Sequence, residues 1–328
     1  MLILMNKLNY IYFIFIMNLF LILMNSTSIY IQWLSMEFST IILISMINIE
    51  SKNKIVSIMY FLISSISSLI TIMIISVNFT QLFVLKNSNI NLMLMISMFM
   101  KIGLFPFFSW MILIYNKSSW SQIFIISTFM KFIPIYFFSS IIYLSPIMVM
   151  LLFLNNMFIS VYTNLNFSIK KLFGCSSIFN SFLFILIMYT NKNLFLLIAI
   201  LYTTSLLNLI LIFKFYNINN LNFNNISLNS YYLLTLVLFT YASFPLFLTF
   251  ILKWEFIYNL NVNLSNNLIF FLMLASMLML WNYFILFKYM ILKFKYNKMT
   301  KINFLYLKKI NLIIIMIYSI MFMTFNLI

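Results

Sequence analysis

The chain has 328 residues, 65% of them hydrophobic and 7% charged, with a formal net charge of +16 and a mean hydropathy of +1.11. That excludes a soluble globular protein, because no core of this size needs so much apolar surface, whereas runs of about 20 apolar residues are the length that crosses a bilayer as helix. Two glycines, four prolines and the lack of period-2 alternation exclude a membrane β-barrel.

The expected fold class is therefore all-α: a polytopic membrane protein forming a single transmembrane helical domain over residues 1–328. Apolar run length places eleven spans, in chain order, at about 8–25, 29–49, 55–76, 90–115, 120–142, 145–163, 169–189, 193–213, 230–258, 267–288 and 309–327. The first has the apolar run of a signal peptide but no small-residue cleavage site, so it is kept as a span. Short connections such as Asn25–Ser28 and Asn116–Ser119 make successive helices antiparallel neighbours. The fourth and ninth spans are overlong and carry an internal proline, Pro106 and Pro245.

All 19 basic residues are lysine, the three acidic residues are glutamate, and histidine is absent. With Cys175 as the single cysteine, neither a metal site of known ligand spacing nor an intrachain disulfide can be built. Gly-rich phosphate loops are also missing. Nucleotide, haem or iron–sulfur chemistry is thus expected only in partner chains. Nucleic acid is not an expected partner, because the lysines lie in connections between apolar segments. Fourteen fall on the N-terminal side: Lys7, Lys52, Lys54, Lys117, Lys170, Lys171, Lys214, Lys288, Lys293, Lys295, Lys298, Lys301, Lys308 and Lys309. Only Lys86 and Lys192 fall opposite. The positive-inside rule then puts the N-terminus on the synthesis side and the C-terminus across the membrane.

Three lysines lie inside spans: Lys101, Lys131 and Lys253. A charge at the centre of a spanning helix costs about 2.5–3.5 kcal/mol on insertion scales. Counted along the chain, Glu37, Lys101 and Lys131 reach similar depth near the midplane, and Lys253 lies nearer the opposite face. Snorkelling to headgroups is the bland alternative, and it is easiest for Lys253. A buried amine beside a carboxylate can hold a proton while paired and release it on separation. Lys101 near Glu37 has the makings of such a site. The stretch "MFMKIGLFPFFSWM" follows Lys101 with Gly103 and Pro106, which weaken the helix and free backbone groups that attract water. "GLFPFF" at 103–108 is echoed by "ASFPLF" at 242–247. The two spans run in opposite directions, the pattern of an inverted repeat with two broken helices.

Six pieces in order, "WLSMEFSTIILI", "YFLISSISS", "MKIGLFPFFSWM", "STFMKFIPIY", "KKLFGCSSIFNSF" and "SFPLFLTFILKW", make the sequence resemble the NADH–ubiquinone oxidoreductase chain 2 family, antiporter-like membrane subunits of mitochondrial respiratory complex I. The resemblance implies a proton-translocating role with Glu37 and Lys101 as coupling pair, Lys131 as central relay and Lys253 nearest the exit. It also implies the mitochondrial inner membrane, with the N-terminus in the matrix and the C-terminus in the intermembrane space. NADH, FMN, iron–sulfur clusters and ubiquinone would then be handled by partner subunits. The partners would be other membrane-arm subunits and lipids, cardiolipin among them. Phe108 and Asn180 stand where relatives often have histidine, so a relay through those positions would need water. Two other functions remain open on the residues alone: a stand-alone ion or small-solute carrier, and a purely structural membrane subunit.

Overall fold

The computed structural model describes residues 7–50, 54–80, 87–165, 168–216, 218, 228–243 and 266–296. Lys253, Pro245, the C-terminal part of the ninth expected span and the eleventh span lie outside the described residues. The chain divides into two compact units, Met1–Ala199 and Ile200–Ile328.

Among the described residues the first unit holds α1 (Lys7–Asn25), α2 (Ile29–Glu50), α3 (Ile55–Thr80), α4 (Asn87–Ile102), α5 (Ser109–Lys117), α6 (Trp120–Ser127), α7 (Phe129–Ser139), α8 (Pro146–Leu165), α9 (Ile169–Thr190) and the start of α10 (Lys192–Phe215). The second holds the rest of α10, then α11 (Leu228–Tyr241) and α12 (Asn266–Tyr296). Seven helical segments among the described residues are long and apolar enough to cross a membrane, taking α6 and α7 together as one.

Serine and threonine are frequent in these helices, yet they cost little there. Hydroxyls such as Ser64, Ser67, Ser68 and Thr71 on α3 donate to their own helix's carbonyl three residues back, so these hydroxyls present no unsatisfied donor to lipid. The same economy appears at the ends of helices. Ser119 caps α6 in a capping box with Gln122, and Ser168 caps α9 at the Lys171 N–H.

Burial decides which helices are central. Over an 18-residue apolar window, 94% of residues are buried in the 120–139 stretch and 89% in α9, against 33% in residues 55–77 of α3. α7 packs on α1, α2, α4 and α9, and α9 also packs on α5 and α8. Phe132 of α7 meets Phe184 edge-on at 5.0 Å and Phe195 at 6.0 Å. Outward faces of α1–α3 carry exposed Phe15, Leu21, Ile41, Leu69 and Met73, as lipid contact requires. Gly174 lets α9 approach α5 closely, since a Cβ there would lie 3.0 Å from the Tyr115 ring.

Within the second unit, the Tyr202 and Tyr241 hydroxyls lie 3.4 Å apart, and Tyr241 meets the Tyr283 ring edge-on at 6.1 Å. α11 ends at Tyr241, and Ser243 has φ 55°.

Three sequence expectations are corrected. The tenth span agrees with Ile269–Met290, but its helix continues past it to Tyr296, so Lys293 and Lys295 are helical instead of lying in a connection. Nothing between them breaks a helix, and lysine is a good helix former. The fifth span is not continuous, because Thr128 at φ −107° and ψ −93° separates α6 from α7. Lys170 is not solely a headgroup lysine. Its Nζ donates to the Ser118 carbonyl at 2.9 Å and sits 5.6 Å from the Trp120 ring centre.

Candidate proton-transfer site

The first helix break follows directly from its residues. α4 ends in a Schellman turn: Gly103 adopts φ 74°, and both the Gly103 and Leu104 N–H groups donate to the Phe99 carbonyl, at 3.0 and 2.9 Å. Only a glycine enters that left-handed region without strain. Pro106 brings no N–H to the Ile102 carbonyl, so the helix cannot resume at once, and α5 begins only at Ser109. The Phe105–Pro106 peptide is cis. Lys101 therefore sits in the last turn of α4, where helix carbonyls supply negative partial charge.

The Lys101 Nζ donates to Glu37 Oε1, forming an ion pair between α4 and α2. The two partners differ in environment. The lysine side chain is 3% exposed and the glutamate 20%, so the amine is enclosed and the carboxylate is partly exposed. Tyr60 of α3 lies within electrostatic reach of Glu37 and packs edge-on against Trp110 at 5.9 Å. The indole N–H groups of Trp33 and Trp110 are buried without a hydrogen-bond partner.

Lys131 sits in the first turn of α7, immediately after the interruption at Thr128. Its own N–H and that of Phe132 both donate to the Thr128 carbonyl at 3.0 Å. The Ser127 and Thr128 hydroxyls donate to carbonyls of the last α6 turn, which is how a helix end survives in a dry interior. Lys131 is 1% exposed, and its Nζ has no hydrogen-bond partner. The Cys175 thiol of α9 is a titratable group within electrostatic reach of it. α7 packs on both α2 and α4, the helices that carry Glu37 and Lys101.

Neither amine reaches outward, so neither snorkels along its own helix to the chain's surface. Of the residues singled out in the sequence, the structure brings together Glu37, Lys101 and the Gly103–Pro106 break, and puts Lys131 on a helix packed against theirs. Phe108 belongs to the break and contacts Tyr162 edge-on at 5.4 Å. Asn180 is half-buried on α9. Lys253 and Pro245 lie outside the described residues.

No protein-family model matches the chain. Over 285 residues, 87% of this chain and 86% of the relative, it is 39% identical to NADH-ubiquinone oxidoreductase chain 2 of Apis mellifera ligustica. The chain belongs to the NADH-ubiquinone oxidoreductase chain 2 family. The chain 2 of Locusta migratoria is 26% identical over 265 residues, 76% of each protein. In fold, the chain is similar to a chain of respiratory complex I from Thermus thermophilus with bound aureothin, with a TM-score of 0.71 and 11% identity over 85% of this chain and 69% of that one. It is also similar to a chain of the membrane-bound sulfane sulfur reductase, an archaeal respiratory membrane complex, with a TM-score of 0.77 and 15% identity over 94% of this chain and 71% of that one. At such identities the likeness is one of fold.

For this member of the chain 2 family, sequence reasoning missed two features beside the lysines. The Thr128 interruption was signalled only by the Ser127–Thr128 pair and Pro134 within "STFMKFIP". The buried Asn155–Asn156 pair, whose Asn155 accepts from the Phe105 N–H at 2.8 Å, gave no signal in the sequence that points to the break.

Proposed function

We propose that this chain is a membrane subunit of a proton-pumping NADH:ubiquinone oxidoreductase and carries protons from matrix to intermembrane space along Glu37, Lys101, Lys131 and Lys253. One observation carries the reading: a Glu37–Lys101 ion pair with its amine buried beside a helix break, next to a helix whose Lys131 amine is enclosed without a hydrogen-bond partner. A structural role explains the first and not the second, because an unpaired buried amine only destabilises. Opening of the pair frees a proton on Lys101, the amine of Lys131 accepts one on its nitrogen lone pair, and Lys253 passes it toward the exit.

The energy for this comes from electron transfer in other subunits, where NADH, FMN, iron–sulfur clusters and ubiquinone are bound. Eleven spans in an inverted repeat, with breaks at Pro106 and Pro245, complete the architecture we propose. The inner mitochondrial membrane is the site, with the lysine-rich face and N-terminus in the matrix and the C-terminus in the intermembrane space. Other membrane-arm subunits and lipids, cardiolipin included, are the partners. The family membership and the antiporter-like fold of respiratory complexes support this reading.

The test is Lys101→Met and Lys131→Met in the assembled complex, reconstituted in sealed vesicles. NADH-driven proton release is measured against complex content. Loss of release with normal assembly is expected; full-rate release from both variants would sink the proposal.

A further inference from the structure

The break after Lys101, set by Gly103 and Pro106, is also held from outside its own helix. In an unbroken helix the Phe105 N–H would close on the Lys101 carbonyl, four residues back. Here it donates instead to Oδ1 of Asn155, 2.8 Å away on α8 and 50 residues along the chain. Asn155 and Asn156 are both fully buried, and Asn155 Nδ2 donates to Asn156 Oδ1 at 3.4 Å. That second bond turns the Asn155 oxygen toward the break. The same face of α8 grips the segment twice more. Phe158 stacks flat on Phe105 at 4.6 Å, and Tyr162 packs against Phe108. Residues 155, 158 and 162 share one side of a helix at this spacing. A buried amide in an apolar span is costly unless it is hydrogen-bonded, and this one is spent on a single backbone N–H at the break.

We propose that Asn155 is a positioning residue of the Lys101 proton site. Its amide oxygen accepts the Phe105 N–H that the Gly103 turn has carried away from the helix, and so fixes the break beside the ammonium that pairs with Glu37. The inference rests on the proton-transfer reading above and adds a residue that neither touches the proton nor lies on a helix of the pair. Without the acceptor, the Phe105 N–H is left unpaired in a dry interior, because the Gly103 turn has carried it away from the helix. The turn then shifts to find another acceptor, and the lysine's reach to Glu37 changes.

The experiment compares Asn155→Leu, which keeps the size and removes the acceptor, with Asn155→Asp, which keeps an oxygen facing Phe105. Both are measured in the assembled complex as NADH-driven proton release per unit of complex. Asn155→Leu is expected to lower release about tenfold, since small misplacements of a reacting group carry penalties of that order or larger. Asn155→Asp, in its neutral form at this buried site, is expected to stay within about twofold of the parent, its O–H donating to Asn156 Oδ1 and its carbonyl oxygen accepting from the Phe105 N–H. Mere filling of an apolar site predicts the opposite order, with Leu tolerated and a buried carboxyl not; that order overturns the proposal. If Asn155→Leu does not assemble, Phe158→Leu decides: it loosens the segment that α8 holds, lowered release is expected, and release at the parent's rate overturns the proposal. Lys101→Met in the same series separates the two claims. Normal pumping by Lys101→Met defeats the underlying reading, whereas loss there with full pumping in Asn155→Leu defeats this inference alone.

Discussion

Replacing Lys131 with methionine gives the sharpest test, because the structure predicts opposite signs for stability and for pumping. Methionine matches the lysine stem in length and flexibility, so the packing of α7 on α1, α2, α4 and α9 is kept. What disappears is one amine that is 1% exposed and has no hydrogen-bond partner. A buried polar group left unsatisfied costs about 1–3 kcal/mol, so the variant should be more stable by up to that amount. At about 2 °C per kcal/mol for a chain of this size, the unfolding midpoint rises by roughly 2–6 °C. The assay is thermal unfolding of the purified complex, followed through this subunit, with NADH-driven proton release measured on the same preparation. A stabilised complex with proton release lost is the expected result. Lower stability by about 1 kcal/mol or more would show that the amine has a structural partner, and unimpaired release would show that it carries no proton.

The Glu37–Lys101 pair predicts an asymmetric cycle. Glu37→Gln strands a 3%-exposed amine and should cost about 3 kcal/mol. Lys101→Met strands a carboxylate that is 20% exposed and should cost nearer 1 kcal/mol, while the double variant returns close to the parent. Simple additivity in unfolding midpoints would refute the coupling. Gly103→Ala should lower assembled complex and pumping together. Its Cβ would sit 2.9 Å from Met111 Cβ at a backbone φ of 74°, a strain of about 1–2 kcal/mol, and native-gel quantities near the parent's would contradict the turn. Gly174→Ala pushes a methyl against the Tyr115 ring at 3.0 Å and should cost about 1–3 kcal/mol of stability, read as a lower unfolding midpoint. Tyr115→Phe, which removes only the hydroxyl that accepts from Ser177 at 2.9 Å, should cost about 1 kcal/mol by the same measurement.

Composition and run length determined the membrane class and the ends of most helices, because an apolar helix must match a fixed hydrocarbon thickness whatever surrounds it. The break at Gly103 and Pro106 was equally legible, since positive φ and a missing N–H are properties of those two residues alone. Depth counting along antiparallel spans even set Glu37 and Lys101 level with one another. What it left undecided was rotation about each helix axis, which local chemistry does not set. Only packing turned Glu37 toward Lys101, enclosed Lys131 against α9, split the fifth span at Thr128 and brought Asn155 across 50 residues to the Phe105 N–H. Those are contacts between surfaces distant in the chain. In a dry interior they are selected by which polar groups still lack a partner, and that is known only once all the helices are in place.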